Sequence, residues 1–437
     1  MNSNNDNINL SNLISFMSKH GVEKILAKRL TANDNSKNQI YLGSALNLLP
    51  YHQIRMELTG GTRPRHVADI DFSWLSDNEQ TVKAPHSKLI LYPKYPEVRL
   101  SGFMRGCPYA PSIIAQRLEG RTLFLGITDD DKVIGYVSHP NSVLSLAVQN
   151  GDFSQTGVLI EIPMEEDDSR VSLINNLENI NSKEWVEGKS LTTEGIVPCN
   201  STHCGGYTLE AEFGIVRNSS KAPDFKGWEL KAYQVPNFKK LPGSKIISVI
   251  TTEPDGGYYA EEGLIDFVRR YGYEDRNNNP DRLNFGGVYR VGGEPHRLTG
   301  IRLAIDGFPT AKGDYSPDGK VLFLDESDNV AASWSFTKLL DSWGKKHAKA
   351  AYVPYVTETV SGVRKYRYSD HVRLATGTNF RYFLTTLSSG NLYLDPAHKI
   401  TDESTNPVGK ARTQWRISAR NIDTFYNTVD TVSLNAP

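Results

Sequence analysis

Apolar and polar residues alternate along the first third of the chain in many short runs, and Gly, Pro, Asn and Asp punctuate them. Alternation with period two suits half-buried strands, and it predicts strands over 38–42, 88–92, 98–104, 122–127, 133–138 and 158–162. Wider apolar spacing predicts helices over 10–30 and 111–118. Short strands at such intervals point to a β barrel or sandwich. The acidic run Glu165-Glu166-Asp167-Asp168 breaks the pattern, and a short helical segment over 171–180 leads to Trp185. We therefore expect one domain over 1–170, a linker over 171–184 and a second domain over 185–437. The second part mixes periods: helical spacing over 261–271 and 337–343, strand-like runs over 245–251, 288–291, 299–305, 321–324, 380–387 and 415–417. A mixed sheet flanked by helices, and a multidomain α+β chain, are the expectation.

At 437 residues the chain exceeds one typical core. With 38% hydrophobic residues and no long apolar run or signal-peptide pattern, it reads as a soluble protein without a membrane partner, suited to a bacterial cytoplasm. Cys107, Cys199 and Cys204 are too few for a disulfide framework and read as reduced thiols. Cys199, His203 and Cys204 lack the paired spacing of a zinc site. The net charge of −1 gives no hint of a nucleic-acid partner. Its distribution does: Lys338 to Arg420 carries fourteen Lys plus Arg against six Asp plus Glu, and Arg364-Lys365-Tyr366-Arg367-Tyr368 interleaves cations with aromatics. A solvated basic face would carry the same letters.

The run Ala222-Pro223-Asp224-Phe225-Lys226-Gly227-Trp228-Glu229-Leu230-Lys231 carries the most chemistry. Over 227–233 it suits a strand, so Glu229 and Lys231 share a face opposite Trp228 and Leu230. Pro223 and Gly227 bracket a turn that can swing Asp224 beside Glu229. Two carboxylates with waters and a phosphate oxygen suit Mg²⁺, and a neighbouring lysine can orient and help deprotonate an attacking water. Upstream, 205–215 reads as a short helix that carries another carboxylate. These are the parts of a phosphodiester hydrolase, and no nucleotide-binding Gly-Lys-Ser/Thr loop accompanies them.

Leu209-Glu210, Gly214, Pro223-Asp224 and Gly227-Trp228-Glu229-Leu230-Lys231 fall in order on the pattern of the PD-(D/E)xK nucleases of the MutH, MvaI and BcnI group, which this block resembles. The resemblance implies a restriction-endonuclease-like second domain in which Asp224 and Glu229 hold Mg²⁺, Lys231 serves the water and Glu210 supports the metal site. Glu212 competes for that last role. Lys28-Arg29-Leu30-Thr31-Ala32-Asn33-Asp34, with Gln39 and Leu49-Pro50, is similar to the start of an EcoRII-type effector domain, a B3-like DNA-binding pseudobarrel. Glu97 to Gly106 looks like that domain's second DNA-contacting arm, and the similarity fades from Cys107 to Glu161. Arg, Asn and Asp side chains can read base edges. The resemblance thus implies DNA contacts from Lys28, Arg29, Asn33, Asp34, Lys94, Arg99 and Arg105. In the second domain we expect them among Arg364, Lys365, Arg367, Asp395, His398, Lys410, Arg412, Gln414 and Arg416.

The implied function is a type II restriction endonuclease of the IIE kind. Each domain would bind one copy of a double-stranded site, CCWGG by resemblance, in an arrangement compatible with a monomer. A MutH-like nicking enzyme and a non-catalytic two-domain DNA-binding regulator remain open alternatives.

Overall fold

The computed structural model describes residues 8–434 except 35–38, 44–45, 60–62, 77–78, 93–96, 152, 165–168, 202, 219–222, 278, 310–314 and 345–346. Two compact units result: Met1–Asn179 with Phe225–Gly227, and Ile180–Asp224 with Trp228–Pro437. No helix among the described residues is long and apolar enough to cross a membrane.

The first unit is mainly β, as the alternation predicts. Among the described residues its strands form a seven-stranded sheet centred on Val22–Leu30 and Arg121–Thr128, and a five-stranded sheet running from Gln39–Tyr41 to Ile54–Thr59. The expected helix over 10–30 is a correction: it ends at Ser18, and Val22–Leu30 is a strand. Gly21 adopts φ +77 just beyond the helix, a conformation that terminates helices and favours glycine, and β-branched Val22 and Ile25 then enter the sheet. Leu13 and Met17 of the helix pack with Val22, Ile25, Phe124 and Tyr136 in one core. The second expected helix shrinks to Ser112–Ala115. Helix Ser169–Ser182 occupies most of the stretch expected as a linker.

The second unit is built around a sheet whose elements we label in chain order: β1 (Val186–Glu187), α1 (Cys204–Glu212), β2 (Trp228–Gln234), β3 (Lys349–Val360), β4 (Val363–Tyr368), β5 (His371–Thr378), α2 (Phe380–Ser388) and β6 (Tyr426–Ser433). The strand order is β1-β4-β3-β5-β6, and β2 adds in parallel to the first half of β3. α2 replaces a strand expected over 380–387. Its aromatic residues favour strands, but Asn379 caps the helix by accepting from the Tyr382 amide, and Phe380, Phe383, Leu384 and Leu387 bury one helical face. The expected strand over 288–291 reduces to bridges at Tyr289 and Val291.

Cys199 and Cys204 are joined in a disulfide with their Cα atoms 5.7 Å apart, which corrects the expectation of reduced thiols. A short loop places them within bridging distance. Cys107 stays free.

Candidate active site

β2 places its side chains by simple alternation. Trp228 and Leu230 are buried on one face, while Glu229 and Lys231 point to the other. The Lys231 ammonium donates to Glu229 Oε1 at 2.5 Å, with the Glu229 side chain 1% exposed and that of Lys231 20% exposed. Asp224 stands before the turn through Lys226 and Gly227, both at positive φ. Its Oδ2 accepts from the Leu230 backbone amide at 2.8 Å, which fixes the carboxylate beside the strand that carries Glu229.

α1 supplies the third carboxylate. Its first turn lies directly on β3: a Cβ on Gly205 would come within 2.2 Å of the Tyr355 ring, and Tyr368 donates its hydroxyl hydrogen to the Gly205 carbonyl at 2.7 Å. Glu210 and Glu212, two residues apart on a helix, project about 200° from one another, so one face cannot hold both. The structure separates them. Glu212, 2% exposed, is taken by Lys183 at 2.5 Å and by Lys189. Burial opposes its charge, but the two lysines prevail and hold its carboxyl below the usual range. Glu210 instead acts on Lys231. Burial alone would drive the Lys231 ammonium to release its proton; the charge and hydrogen bond of Glu229, then the charges of Asp224 and Glu210, override this and raise its pKa above the ordinary value. The four residues named from the sequence thus form one electrostatic cluster.

This donor set fits a hard dication. Three carboxylates act on one ammonium, and Mg²⁺ takes one or two carboxylates with waters in its remaining positions. Among the described residues no three His, Cys, Asp or Glu side chains already stand close enough together to coordinate an ion.

The expected DNA contacts divide by burial. Lys28 and Asp34 are internal, paired at 2.5 Å with side chains 5% and 7% exposed. Asp34 also accepts from the amides of Thr31 and Tyr41, so both residues hold a turn in this structure. Arg29, Asn33 and Arg105 are exposed. Arg99 is half-buried, bonded to Glu97 and Gln39 and stacked over Tyr92. Lys94 lies outside the described residues.

In the second unit, Arg367, Lys410 and Arg412 are exposed, and Arg364 and Lys365 are half-buried on β4. Their interleaved aromatics, Tyr366 and Tyr368, are buried and face inward. Arg416 pairs with Asp395 at 2.6 Å and bonds to Gln414, whose amide reaches Ser248. His398 is held inside the second unit. It is buried, its Nδ1 accepts from the Arg412 amide, and burial pushes its pKa down to about 4, only partly offset by Glu253, so a neutral ring holds the chain in place. β3 escaped the sequence reading although it is the partner of β2. Pro354 within it argues against a strand, yet it sits where pairing passes from β5 to β4.

The profile of the MvaI/BcnI restriction endonuclease family matches residues 174–426. A solved structure of the restriction endonuclease MvaI with its cognate DNA substrate is similar at 16% identity and a TM-score of 0.46, covering 61% of this chain and 98% of that one. MvaI solved without DNA is similar at the same identity and coverage, with a TM-score of 0.35. The search of curated proteins gives no match. With the profile spanning more than half of its length, the chain belongs to the MvaI/BcnI restriction endonuclease family.

Proposed function

We propose that the protein is a Mg²⁺-dependent type II restriction endonuclease that cuts both DNA strands at a short site. The observation that carries this reading is the convergence of Glu210, Asp224 and Glu229 on Lys231, within a chain of this family. Asp224 and Glu229 would hold the ion, with Glu210 supporting the site. When bound, Mg²⁺ would neutralise charge developing on the scissile phosphate and polarise the attacking water. Lys231, kept as an ammonium, would orient that water by hydrogen bonding. Attack of the water oxygen on phosphorus breaks the P–O3′ bond and leaves a 5′-phosphate and a 3′-hydroxyl.

The layout of a B3-like effector domain followed by an MvaI-like catalytic domain resembles the restriction endonuclease UbaLAI. We accordingly assign CCWGG as the site and a second copy of it to the first unit. Cleavage of a multi-site plasmid in Mg²⁺, with fragment ends sequenced, tests the whole reading. Double-strand ends within CCWGG are expected. Ends at another sequence would keep the enzyme class and discard the specificity, nicks alone would favour a MutH-like enzyme, and an intact plasmid would point to a non-catalytic DNA-binding protein. For the first unit, short duplexes carrying the site should stimulate cutting of a one-site plasmid, and Arg99→Ala should weaken that stimulation roughly tenfold at fixed salt.

A further inference from the structure

Behind the carboxylate cluster runs a buried chain of hydrogen bonds that the reaction described above does not use. In the parallel register of β2 with β3, Glu229 pairs with Ala350 and Lys231 with Tyr352, so Tyr352 shares the face of the two charged residues. Tyr352 is fully buried, and its hydroxyl lies 3.0 Å from that of Tyr426 at the start of β6. Tyr426 lies 3.4 Å from His347 Nδ1, and His347 Nε2 lies 3.1 Å from the Val249 carbonyl. His347 is itself buried and stacked on Trp343.

The carbonyl fixes the order of protons along this chain. Because it can only accept, Nε2 of His347 carries the hydrogen, and in that tautomer Nδ1 accepts. Tyr426 therefore donates to His347, and Tyr352 donates to Tyr426. The Tyr352 oxygen is left with lone pairs on the face that holds Lys231. Burial raises the hydroxyl pKa values of both tyrosines, and among the smaller causes the Glu229 charge acts on each in the same direction.

Lys231 donates to Glu229 in this structure. An ion held by Glu229 competes for that carboxylate, and a largely buried ammonium then needs another acceptor. We propose that Tyr352 is a positioning residue: its oxygen, oriented by Tyr426 and His347, receives the Lys231 ammonium when Glu229 turns to the ion, and so keeps Lys231 beside the attacking water. The inference rests on the metal role proposed for Glu229.

The test is Tyr352→Phe in the full chain, which keeps the ring and removes the oxygen. Single-turnover cleavage at saturating Mg²⁺ should fall roughly 10- to 100-fold, and Ca²⁺ affinity measured by calorimetry without turnover should fall about tenfold, because Lys231 stays on Glu229. DNA affinity in Ca²⁺-free buffer should not change. Tyr426→Phe breaks the next link and should give a smaller loss of rate, and the double variant should be no slower than Tyr352→Phe alone. Tyr289→Phe, which removes a buried hydroxyl bonded to Thr299, should lower the thermal midpoint but leave Ca²⁺ affinity unchanged. Wild-type rate and Ca²⁺ affinity in Tyr352→Phe would overturn the proposal, as would losses that add in the double variant. If Tyr352→Phe does not fold, the same two measurements on Tyr426→Phe decide. Glu229→Gln separates the two levels: an active Glu229→Gln enzyme refutes the metal reading, whereas an inactive one beside a fully active Tyr352→Phe refutes this inference alone.

Discussion

Each unit holds a lysine–carboxylate pair at the same distance, 2.5 Å, and the two pairs do opposite things. Lys28–Asp34 in the first unit is closed. Asp34 Oδ2 takes the Lys28 ammonium, the Thr31 amide and the Thr31 hydroxyl, Oδ1 takes the Tyr41 amide, and the buried Arg121 guanidinium adds a second positive charge nearby, so cations and backbone donors saturate this carboxylate. Glu229–Lys231 in the second unit is open: Asp224 and Glu210 add negative charge around the same ammonium. The first pair holds a turn, and the second gathers three carboxylates on one lysine, the arrangement that the proposed metal role requires. Distance does not distinguish the two pairs; the number of carboxylates acting on each lysine does.

The largest effect expected from breaking this contrast is catalytic. Glu229→Gln or Lys231→Ala should slow plasmid cleavage in Mg²⁺ roughly a thousandfold, about 4 kcal/mol in the barrier, while DNA binding in Ca²⁺ persists. An unaltered rate in Lys231→Ala would dismiss the assignment.

Asp34→Asn is the mirror experiment. It strands the buried Lys28 charge, so the first unit should lose about 3 kcal/mol of stability in urea, and cleavage of a substrate that needs no second site should proceed at the wild-type rate. A catalytic loss without a stability loss would mean that this pair is not the closed one.

The sequence already carried the open cluster, because its members are local. The strand expected over 227–233 is found at Trp228–Gln234, and the helix over 205–215 at Cys204–Glu212. Alternation then puts Glu229 and Lys231 on one face without any tertiary information. Choices made by distant partners were not legible. Glu212 differs from Glu210 only because Lys183 and Lys189 reach it, and Lys28 is withdrawn from solvent because Asp34 folds back six residues later. The same limit hid β3, whose Pro354 is tolerated only where neighbouring strands change over, and the disulfide, which depends on how one short loop closes.

His398 adds a buried titratable group kept neutral, where Lys231 is kept charged by carboxylates. With its folded pKa lowered from 6.5 to about 4, protonation favours the unfolded chain. Its contribution is therefore complete above pH 6.5 and is lost as pH falls from 6.5 toward 4, a loss of about 2 kcal/mol at pH 5. Unfolding in urea at pH 7 and pH 5 should show this drop, and His398→Phe should flatten it. An equal drop in the variant would assign the acid sensitivity to other groups.

The smallest effect expected is the sharpest discriminator, because Glu210 and Glu212 differ by two positions on one helix. Glu210→Gln removes charge from the open cluster, so cleavage should fall about tenfold, equivalent to about 1.4 kcal/mol, and the Mg²⁺ needed for half-maximal rate should rise. Glu212→Gln opens a closed site. Because Lys183 and Lys189 remain partly exposed and can turn to water, the cost should be only about 1 kcal/mol of stability, with the Mg²⁺ dependence unchanged. If the two variants exchange these behaviours, action on Lys231 is not what marks the supporting carboxylate, and the helix must present Glu212 to the site when DNA binds.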